Sequence, residues 1–229
     1  MNEIIQIKNL VKRFPVGKDF FTALHEINLN FGQGEFAGFT GPSGSGKTTL
    51  LNIIGSLDAP SQGNAIVMGQ DVALLSNREA ALLRNRHIGF IFQTYNLLPV
   101  YTVFENVEFA LLLQKMSTTE RRKAVMEALE WVGLTDKAKS RPNMLSGGES
   151  QRVAIARSMV KKPEIVLADE PTANLDSTNS HHILQTMKKL NEELNVTFLF
   201  ATHDEKVMKY LRRIVSLEDG KVISDRLTE

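Results

Sequence analysis

The sequence predicts an α/β protein with a largely parallel β-sheet, antiparallel strands near its beginning and a helical insertion in its second half. Apolar runs bounded by Gly or polar residues, with helical patterns between them, are typical of parallel strands buried on both faces. Four runs have this form, at residues 36–40, 88–92, 165–168 and 196–201. They are the expected strands of the core sheet.

Antiparallel strands are predicted at both ends of the chain. Polar and apolar residues alternate over 5–10 and over 27–31, as in strands with one exposed face. The apolar runs 214–217 and 221–223 flank an Asp-Gly pair, which indicates a hairpin.

The segment 103–160 has a mostly helical pattern. We therefore expect a single domain over residues 1–229. Its α/β core comprises about 1–94 and 160–229, and its helical subdomain about 95–159.

The composition, 42% hydrophobic and 23% charged residues, is that of an ordinary globular protein. The formal net charge is +1 and the basic pairs are scattered, so no nucleic-acid partner is expected. The absence of Cys excludes disulfides, thiol catalysis and Cys-based zinc sites. No apolar run reaches the roughly 18 residues of a membrane span, and the first residues lack a signal-peptide pattern. Any role at a membrane is expected to depend on a partner.

A glycine-rich segment follows the first buried strand and precedes a helical pattern that starts at Thr49. It fits G-x-x-x-x-G-K-[ST] at every fixed position and reads Gly41-Pro42-Ser43-Gly44-Ser45-Gly46-Lys47-Thr48. Glycines let backbone N–H groups point inward around an anion, and the helix adds its positive N-terminal dipole. Lys47 would place an ammonium on the outer phosphates, and the Thr48 hydroxyl would ligate Mg²⁺.

The strand–loop–helix context of this phosphate loop disfavours the alternative, a chance glycine-rich turn. No Asn-Lys-x-Asp follows later in the chain to read guanine. The expected nucleotide is therefore ATP.

Two carboxylates, Asp169 and Glu170, follow the buried strand at 165–168. The carboxyl end of such a strand lies where parallel sheets bind their ligands. Asp169 would hold Mg²⁺ opposite Thr48, and Glu170 would orient and polarise the attacking water. Alone, an Asp-Glu pair often only marks the start of a loop; beside a phosphate loop, the catalytic interpretation is favoured.

A second helix start, at residues 145–149, is suited to an anion. Its sequence is Leu145-Ser146-Gly147-Gly148-Glu149. Locally, Ser146 and Glu149 form the pattern of a capping box. Two glycines in the first turn weaken a helix by about 1 kcal/mol each, but they allow a phosphate to approach the backbone. One nucleotide bound by one chain seldom needs both helix ends.

Together these segments resemble the motifs of ABC ATPases, and the resemblance covers the whole chain. It implies a P-loop NTPase fold with a RecA-like parallel-sheet core, an N-terminal antiparallel β subdomain and an inserted α-helical subdomain. It implies ATP and Mg²⁺ as ligands and a head-to-tail pair of identical chains. Each ATP would lie between the phosphate loop of one chain and the segment Ser146, Gly147, Gly148 and Glu149 of the other.

The resemblance also implies roles for single residues. Phe14 stacks on the adenine, and Gln93 touches Mg²⁺ and the attacking water. Asp176 belongs to the loop that crosses the dimer interface, and His203 is the switch histidine that contacts the γ-phosphate. With Glu170 and Lys47, Gln93 and His203 form the expected catalytic set.

The chain departs from the family pattern in two places. The family's signature sequence, here Leu145 to Glu149, usually continues Gly-Gly-Gln-Gln-Gln-Arg, whereas this chain has Gly-Gly-Glu-Ser-Gln-Arg. Glu149 adds negative charge near the partner's phosphates. The adenine-stacking residue, commonly Tyr, is Phe14. Phe20 and Phe21 are nearby alternatives for this role, but we expect them to lie in the core. The sequence offers no third metal ligand beside His181 and His182, so we expect these residues to lie on an exposed helix face rather than in a metal site.

Segments 57–60, 87–93, 96–99 and 102–107 resemble one bacterial branch, which includes lipoprotein-release, macrolide-export and cell-division ATPases. The resemblance implies an integral membrane transporter subunit as partner and a place at the cytoplasmic, inner face of the cell membrane. The alternatives are an ATPase that transmits force to control cell-wall remodelling or division, a DNA-repair or translation ATPase, and a kinase. The short interval between the phosphate loop and the signature disfavours DNA repair.

Apolar residues follow Gln93 closely, at Tyr95, Leu97, Leu98 and Tyr101. An apolar loop is unusual on a free surface. We expect these residues to form a groove for a cytoplasmic helix of the membrane partner. The alternative is that they pack inside the helical segment.

Overall fold

The computed structural model describes residues 3–228, so the two ends of the predicted domain, residues 1, 2 and 229, lie outside the described residues. The strands are β1 (Glu3–Val16), β2 (Asp19–Gly32), β3 (Phe36–Thr40), β4 (Gln62–Val67), β5 (Gln70–Asp71), β6 (Ile88–Ile91), β7 (Ile165–Asp169), β8 (Thr197–Ala201), β9 (Arg213–Glu218) and β10 (Lys221–Leu227). The α-helices are α1 (Lys47–Ile54), α2 (Asn77–His87), α3 (Val103–Glu108), α4 (Thr118–Trp131), α5 (Gly147–Met159), α6 (Ser177–Leu194) and α7 (Glu205–Met208). Short 3₁₀ turns lie at Phe109–Leu111, Thr135–Lys137 and Pro142–Met144.

The strands form two sheets. Six strands in the order β10-β9-β3-β8-β7-β6 make the core sheet, in which only β10 runs antiparallel to its neighbour. Four strands in the order β2-β1-β4-β5 make an antiparallel sheet. A parallel-sheet core, an antiparallel N-terminal part and helices between β6 and β7 confirm the predicted fold class.

Successive side chains of the core strands point to opposite faces of the sheet. In β8, Phe198 and Phe200 join the core shared with α3, α4, α5 and α6, while Leu199 joins the core shared with α1 and the antiparallel sheet. All five residues of β8 are buried. This double burial explains why the core strands are continuous apolar runs in the sequence.

The first two strands are longer than predicted, because β1 and β2 pair along 14 residues each. The pairing register shifts between Ile7 and Leu10 and twice more before Arg13. Each irregularity changes which face the following side chains occupy, so alternation fails in the sequence although the pairing continues. β4, β5 and α2 were not predicted.

The loop after β6 is fastened to α3 by one buried side chain, Asn106, which is 1% exposed. Its amide nitrogen donates to the carbonyls of Leu98 (3.1 Å), Tyr101 (3.2 Å) and Thr102 (2.9 Å). Its amide oxygen accepts from the backbone N–H of Leu98 at 2.7 Å. Asn106 therefore connects the loop that follows Gln93 to α3.

Within residues 3–228, none of the helices combines the length and the apolar composition that crossing a membrane requires.

The replacement Asn106→Ala should lower the free energy of unfolding by about 2–4 kcal/mol, because several buried backbone groups lose their partner. Urea titration followed by circular dichroism measures the change. Asn143→Ala, at an exposed position, is the control and should change stability by less than about 0.5 kcal/mol. Equal effects of the two substitutions would contradict this account of Asn106.

Candidate nucleotide site

The phosphate loop, residues 41–46, connects β3 to α1 and closes around the side chain of Lys47. The Lys47 ammonium donates to the carbonyls of Gly41 and Pro42, at 2.8 Å each, and lies 3.5 Å from the Ser45 hydroxyl. Burial lowers the pKa of Lys47, while the charges of Glu170 and Asp169 oppose the shift. The loop thus holds a cation that is available to an anion bound there.

Gly41 has a backbone conformation and surroundings that no other residue fits. Its φ is +138°, and a Cβ built there would lie 2.0 Å from the carbonyl oxygen of Leu217. Gly44 also has a positive φ, +81°, but nothing lies within 4 Å of its Cβ position. Packing and backbone conformation both require glycine at position 41, whereas at position 44 only the backbone conformation does.

The carboxyl end of β7 places Asp169 against the start of α1. The Thr48 hydroxyl donates to Asp169 Oδ1 at 3.2 Å. Burial raises the pKa of the Asp169 carboxyl, and the bond from Thr48 opposes that rise. A hydroxyl and a carboxylate in contact are oxygen donors of the kind that Mg²⁺ takes, so the residues present fit this ion.

Glu170 stands next to Asp169 in the left-handed region, with φ +46°. One carboxylate oxygen, Oε1, lies 2.5 Å from Nδ1 of His203. The other, Oε2, accepts from the hydroxyl of Thr202 at 3.2 Å. The structure therefore brings two predicted catalytic residues into direct contact and adds Thr202, which sequence reasoning missed.

A cavity of about 570 Å³ lies over these groups, within the range of roughly 300–1,000 Å³ usual for small-molecule sites. Predicted residues that line it are Phe14, Pro42, Ser43, Gly44, Gly46, Lys47, Thr48, Thr49, Gln93, Asp169, Glu170 and His203. Gly41 and Ser45 belong to the loop but do not line the cavity.

Two phenylalanines of the first hairpin line this cavity. Phe14 pairs with Phe21 across β1 and β2, and both line the cavity. Phe21 is 57% exposed and Phe20 is 69% exposed, so the expectation that they lie in the core is wrong. The cause is the hairpin, whose tip extends beyond the core. Counting back from the turn at Gly17 and Lys18 would have placed Phe21 opposite Phe14.

Gln93 lines the cavity from the loop after β6, and two side chains from other parts of the chain hold that loop. Asn174 donates from its amide to the backbone carbonyl of Gln93 at 2.9 Å. Arg157 of α5 donates to the carbonyls of Tyr95 and Asn96 at 2.7 and 2.6 Å.

The signature segment begins α5 with the predicted capping box. The Ser146 hydroxyl accepts from the N–H of Glu149 at 3.2 Å, and the Glu149 carboxylate accepts from the N–H of Ser146 at 2.8 Å. That backbone bond is the main cause of a lowered pKa for Glu149. Lys137 lies 3.4 Å from the same carboxylate, so a neighbouring cation offsets the charge of Glu149.

The two signature glycines have different surroundings. Gly147 is exposed, whereas Gly148 is buried, and a Cβ at Gly148 would lie 2.5 Å from the side-chain oxygen of Asn179. Asp176 caps α6 by accepting from the N–H of Asn179 at 2.9 Å. Neither Ser146 nor Gly147 lines the cavity.

His181 and His182 lie exposed on α6, as the sequence favoured. His181 contacts the hydroxyl of Tyr210. Among residues 3–228, no group of three or more His, Cys, Asp or Glu side chains could hold a metal ion.

Residues 24–173 of the chain match the family model described as "ABC transporter". The chain belongs to the ABC transporter family. This ABC ATPase is 45% identical to the uncharacterized ABC transporter ATP-binding protein MJ0796 of Methanocaldococcus jannaschii, over 96% of this chain and 95% of that protein. It is 41% identical to the macrolide export ATP-binding/permease protein MacB of Burkholderia pseudomallei, over 98% of this chain but 34% of MacB.

Solved structures agree with this assignment. A dimeric, post-hydrolysis structure of the MJ0796 cassette with ADP and Pi matches with a TM-score of 0.90 and 43% identity, over 98% of this chain and 99% of that chain. The cbiO1 protein of Clostridium perfringens, part of the cbiONQ transporter complex, matches with a TM-score of 0.89 and 29% identity, over 98% and 88%. This ABC ATPase is an enzyme that binds and hydrolyses ATP.

The replacement Gly41→Ala should lower the free energy of unfolding by more than about 3 kcal/mol, because it adds a backbone clash to an unfavourable φ. Gly44→Ala is the matched control; it meets no clash and should cost about 1–2 kcal/mol. Chemical denaturation of the nucleotide-free proteins measures both. If Gly41→Ala proved no less stable than Gly44→Ala, the packing explanation would be wrong.

Proposed function

We propose that this ABC ATPase powers an integral membrane transporter subunit through ATP-driven, head-to-tail dimerisation. The observation that carries the proposal is the division of the predicted site. The phosphate loop, Asp169, Glu170 and His203 share one cavity, whereas Ser146 and Gly147 are exposed outside it. A second copy would supply the missing face of the ATP site.

Within one chain, the cavity residues have complementary roles. Lys47 would exchange the carbonyls of its loop for the outer phosphate oxygens of ATP. Phe14, joined by Phe21, would hold the adenine. Glu170 would take up the proton of the attacking water, and His203 would turn from Glu170 to the γ-phosphate.

The Mg²⁺ ion would be held by Thr48 and Asp169, with Gln93 from the loop after β6. When bound, the ion neutralises negative charge on the transferred phosphate. Gln93 is exposed and lines the same cavity as Thr48 and Asp169, so its side chain would be available to the ion.

Across the dimer, Ser146, Gly147, Gly148 and Glu149 would meet the partner's phosphates. The bonds to Ser146 and Lys137 support this role, because they keep the Glu149 carboxylate occupied by donors of its own chain. Asp176 would lie at the interface in the loop before α6.

The resemblance of the segments after Gln93, together with the match to MacB, supports a lipoprotein-release or macrolide- and peptide-export type of transporter. An ATPase that transmits force to control cell-wall remodelling or division is the second candidate, favoured by the same segments. In both cases the chain would lie on the cytoplasmic face of the membrane, bound to its partner.

We further propose that the partner's cytoplasmic helix docks on exposed apolar residues at the two ends of α3. Before α3, Val100 is 73% exposed; after it, Leu113 is 84% exposed, with Phe109 and Leu112 beside it. This surface differs from the groove predicted at Tyr95, Leu97, Leu98 and Tyr101. Leu97, a member of that groove, packs against the core instead of lying open to a partner. Tyr101, at 42% exposed, is the member of the predicted groove that is most open to solvent.

Val100→Glu and Leu113→Glu should reduce the amount of the protein that sediments with membranes of its own cells, because each buries a charge in the docking surface. Immunoblots of the membrane fraction measure this, and the purified proteins should keep their ATP turnover. Leu227→Glu, at an equally exposed leucine on β10, is the control. Normal membrane recovery of the Leu113→Glu protein would contradict the docking site.

Glu170→Gln should bind ATP without cleaving it, because the amide cannot activate water while the remaining contacts persist. The protein should therefore be a monomer without nucleotide and a dimer with ATP, since ATP that binds two chains drives their association. Size-exclusion chromatography with light scattering, at several protein concentrations and low salt, measures this.

Two controls test the shared site. Adding Ser146→Arg should block the signature helix end and restore the monomer, and Lys47→Ala, which removes the phosphate cation, should not dimerise with ATP. A Glu170→Gln protein that binds ATP tightly and stays monomeric at every concentration would refute the head-to-tail mechanism.

A further inference from the structure

Thr202 connects the core sheet to the reacting groups. It follows the last residue of β8 and is fully buried, with 0% exposure. Its backbone N–H donates to the carbonyl of Phe39 in β3 at 3.0 Å. The position of this residue is therefore fixed by two central strands.

The Thr202 hydroxyl has one proton to donate, and the structure directs it to Glu170. Its oxygen accepts from the N–H of Asp204 at 3.0 Å and lies 3.2 Å from Oε2 of Glu170. Because the backbone N–H of Asp204 already donates to the hydroxyl oxygen, the hydroxyl can donate its own proton to the Glu170 carboxylate.

The two groups that hold the Glu170 carboxylate differ in exposure. His203 contacts Oε1 with a side chain that is 71% exposed, whereas Thr202 contacts Oε2 from the protein interior. The proposed function requires His203 to turn toward the γ-phosphate. Once it does, the bond from Thr202 remains.

We propose that Thr202 is a positioning residue, which fixes the plane of the Glu170 carboxylate for attack by water. This inference rests on the proposed role of Glu170. The terminal torsion of a Glu side chain is broad, so without a donor the carboxylate samples orientations that do not meet the water. Proton transfer requires a base held within hydrogen-bond reach of the proton that it abstracts.

The test compares Thr202→Val with Thr202→Ser in steady-state ATP hydrolysis. Val keeps the shape of Thr but has no donor, whereas Ser keeps the donor. We expect Thr202→Val to lower kcat roughly tenfold, less than the ~10²–10⁴-fold contribution of a general base. The KM for ATP should stay within about twofold, because ground-state binding is unchanged. Thr202→Ser should restore most of kcat.

A second measurement separates positioning from general damage to the fold. In the Glu170→Gln background, Thr202→Val should leave ATP-driven dimerisation unchanged, because no carboxylate needs to be oriented. If Thr202→Val does not fold, Thr202→Ala takes its place in both experiments. Unchanged kcat, a failure of Ser to rescue, or weakened dimerisation in the Gln background would overturn the proposal.

The turnover of the Glu170→Gln protein distinguishes a failure of the positioning role of Thr202 from a failure of the proposed catalytic role of Glu170. If it abolishes turnover and Thr202→Val has no effect, the positioning role is wrong and the proposed role of Glu170 stands. If Glu170→Gln retains wild-type turnover, the proposed catalytic role is itself wrong.

Discussion

The geometry of the nucleotide site depends on one constraint, the parallel order of three neighbouring strands. β3, β8 and β7 lie side by side in the core sheet and run in the same direction. Their carboxyl ends therefore open on one edge, where the phosphate loop, His203 and the pair Asp169 and Glu170 begin. Thr48 and Asp169 are 121 positions apart in sequence, yet their side chains share a hydrogen bond.

A second set of contacts connects this edge to the helical segment. The loop after β6 is bonded to α5 through Arg157, to the segment before α6 through Asn174, and to α3 through Asn106. The position of Gln93 therefore depends on all three of these elements. A shift of α5, which carries the signature segment, would be transmitted through Arg157 to the loop that carries Gln93, a residue that lines the cavity.

The sequence predicted the buried strands well, because burial on both faces leaves a continuous apolar run. It failed where the register of β1 shifts, since bulges interrupt alternation without ending the strand. It also failed for Phe20 and Phe21, whose aromatic side chains suggested a core but lie on a projecting hairpin. For Leu97, apolar character could not distinguish a docking surface from packing against the core.

By itself, the sequence determined the local chemistry: the phosphate loop, the carboxylates after β7 and the capping box of Ser146 and Glu149. These features depend on residues within a few positions of one another, so spacing is enough to specify them. Only the tertiary structure decided that Lys137 faces Glu149 and that Thr202 faces Glu170. The last two lie 32 positions apart, and their contact exists because the parallel pairing of β7 with β8 brings the two strand ends together.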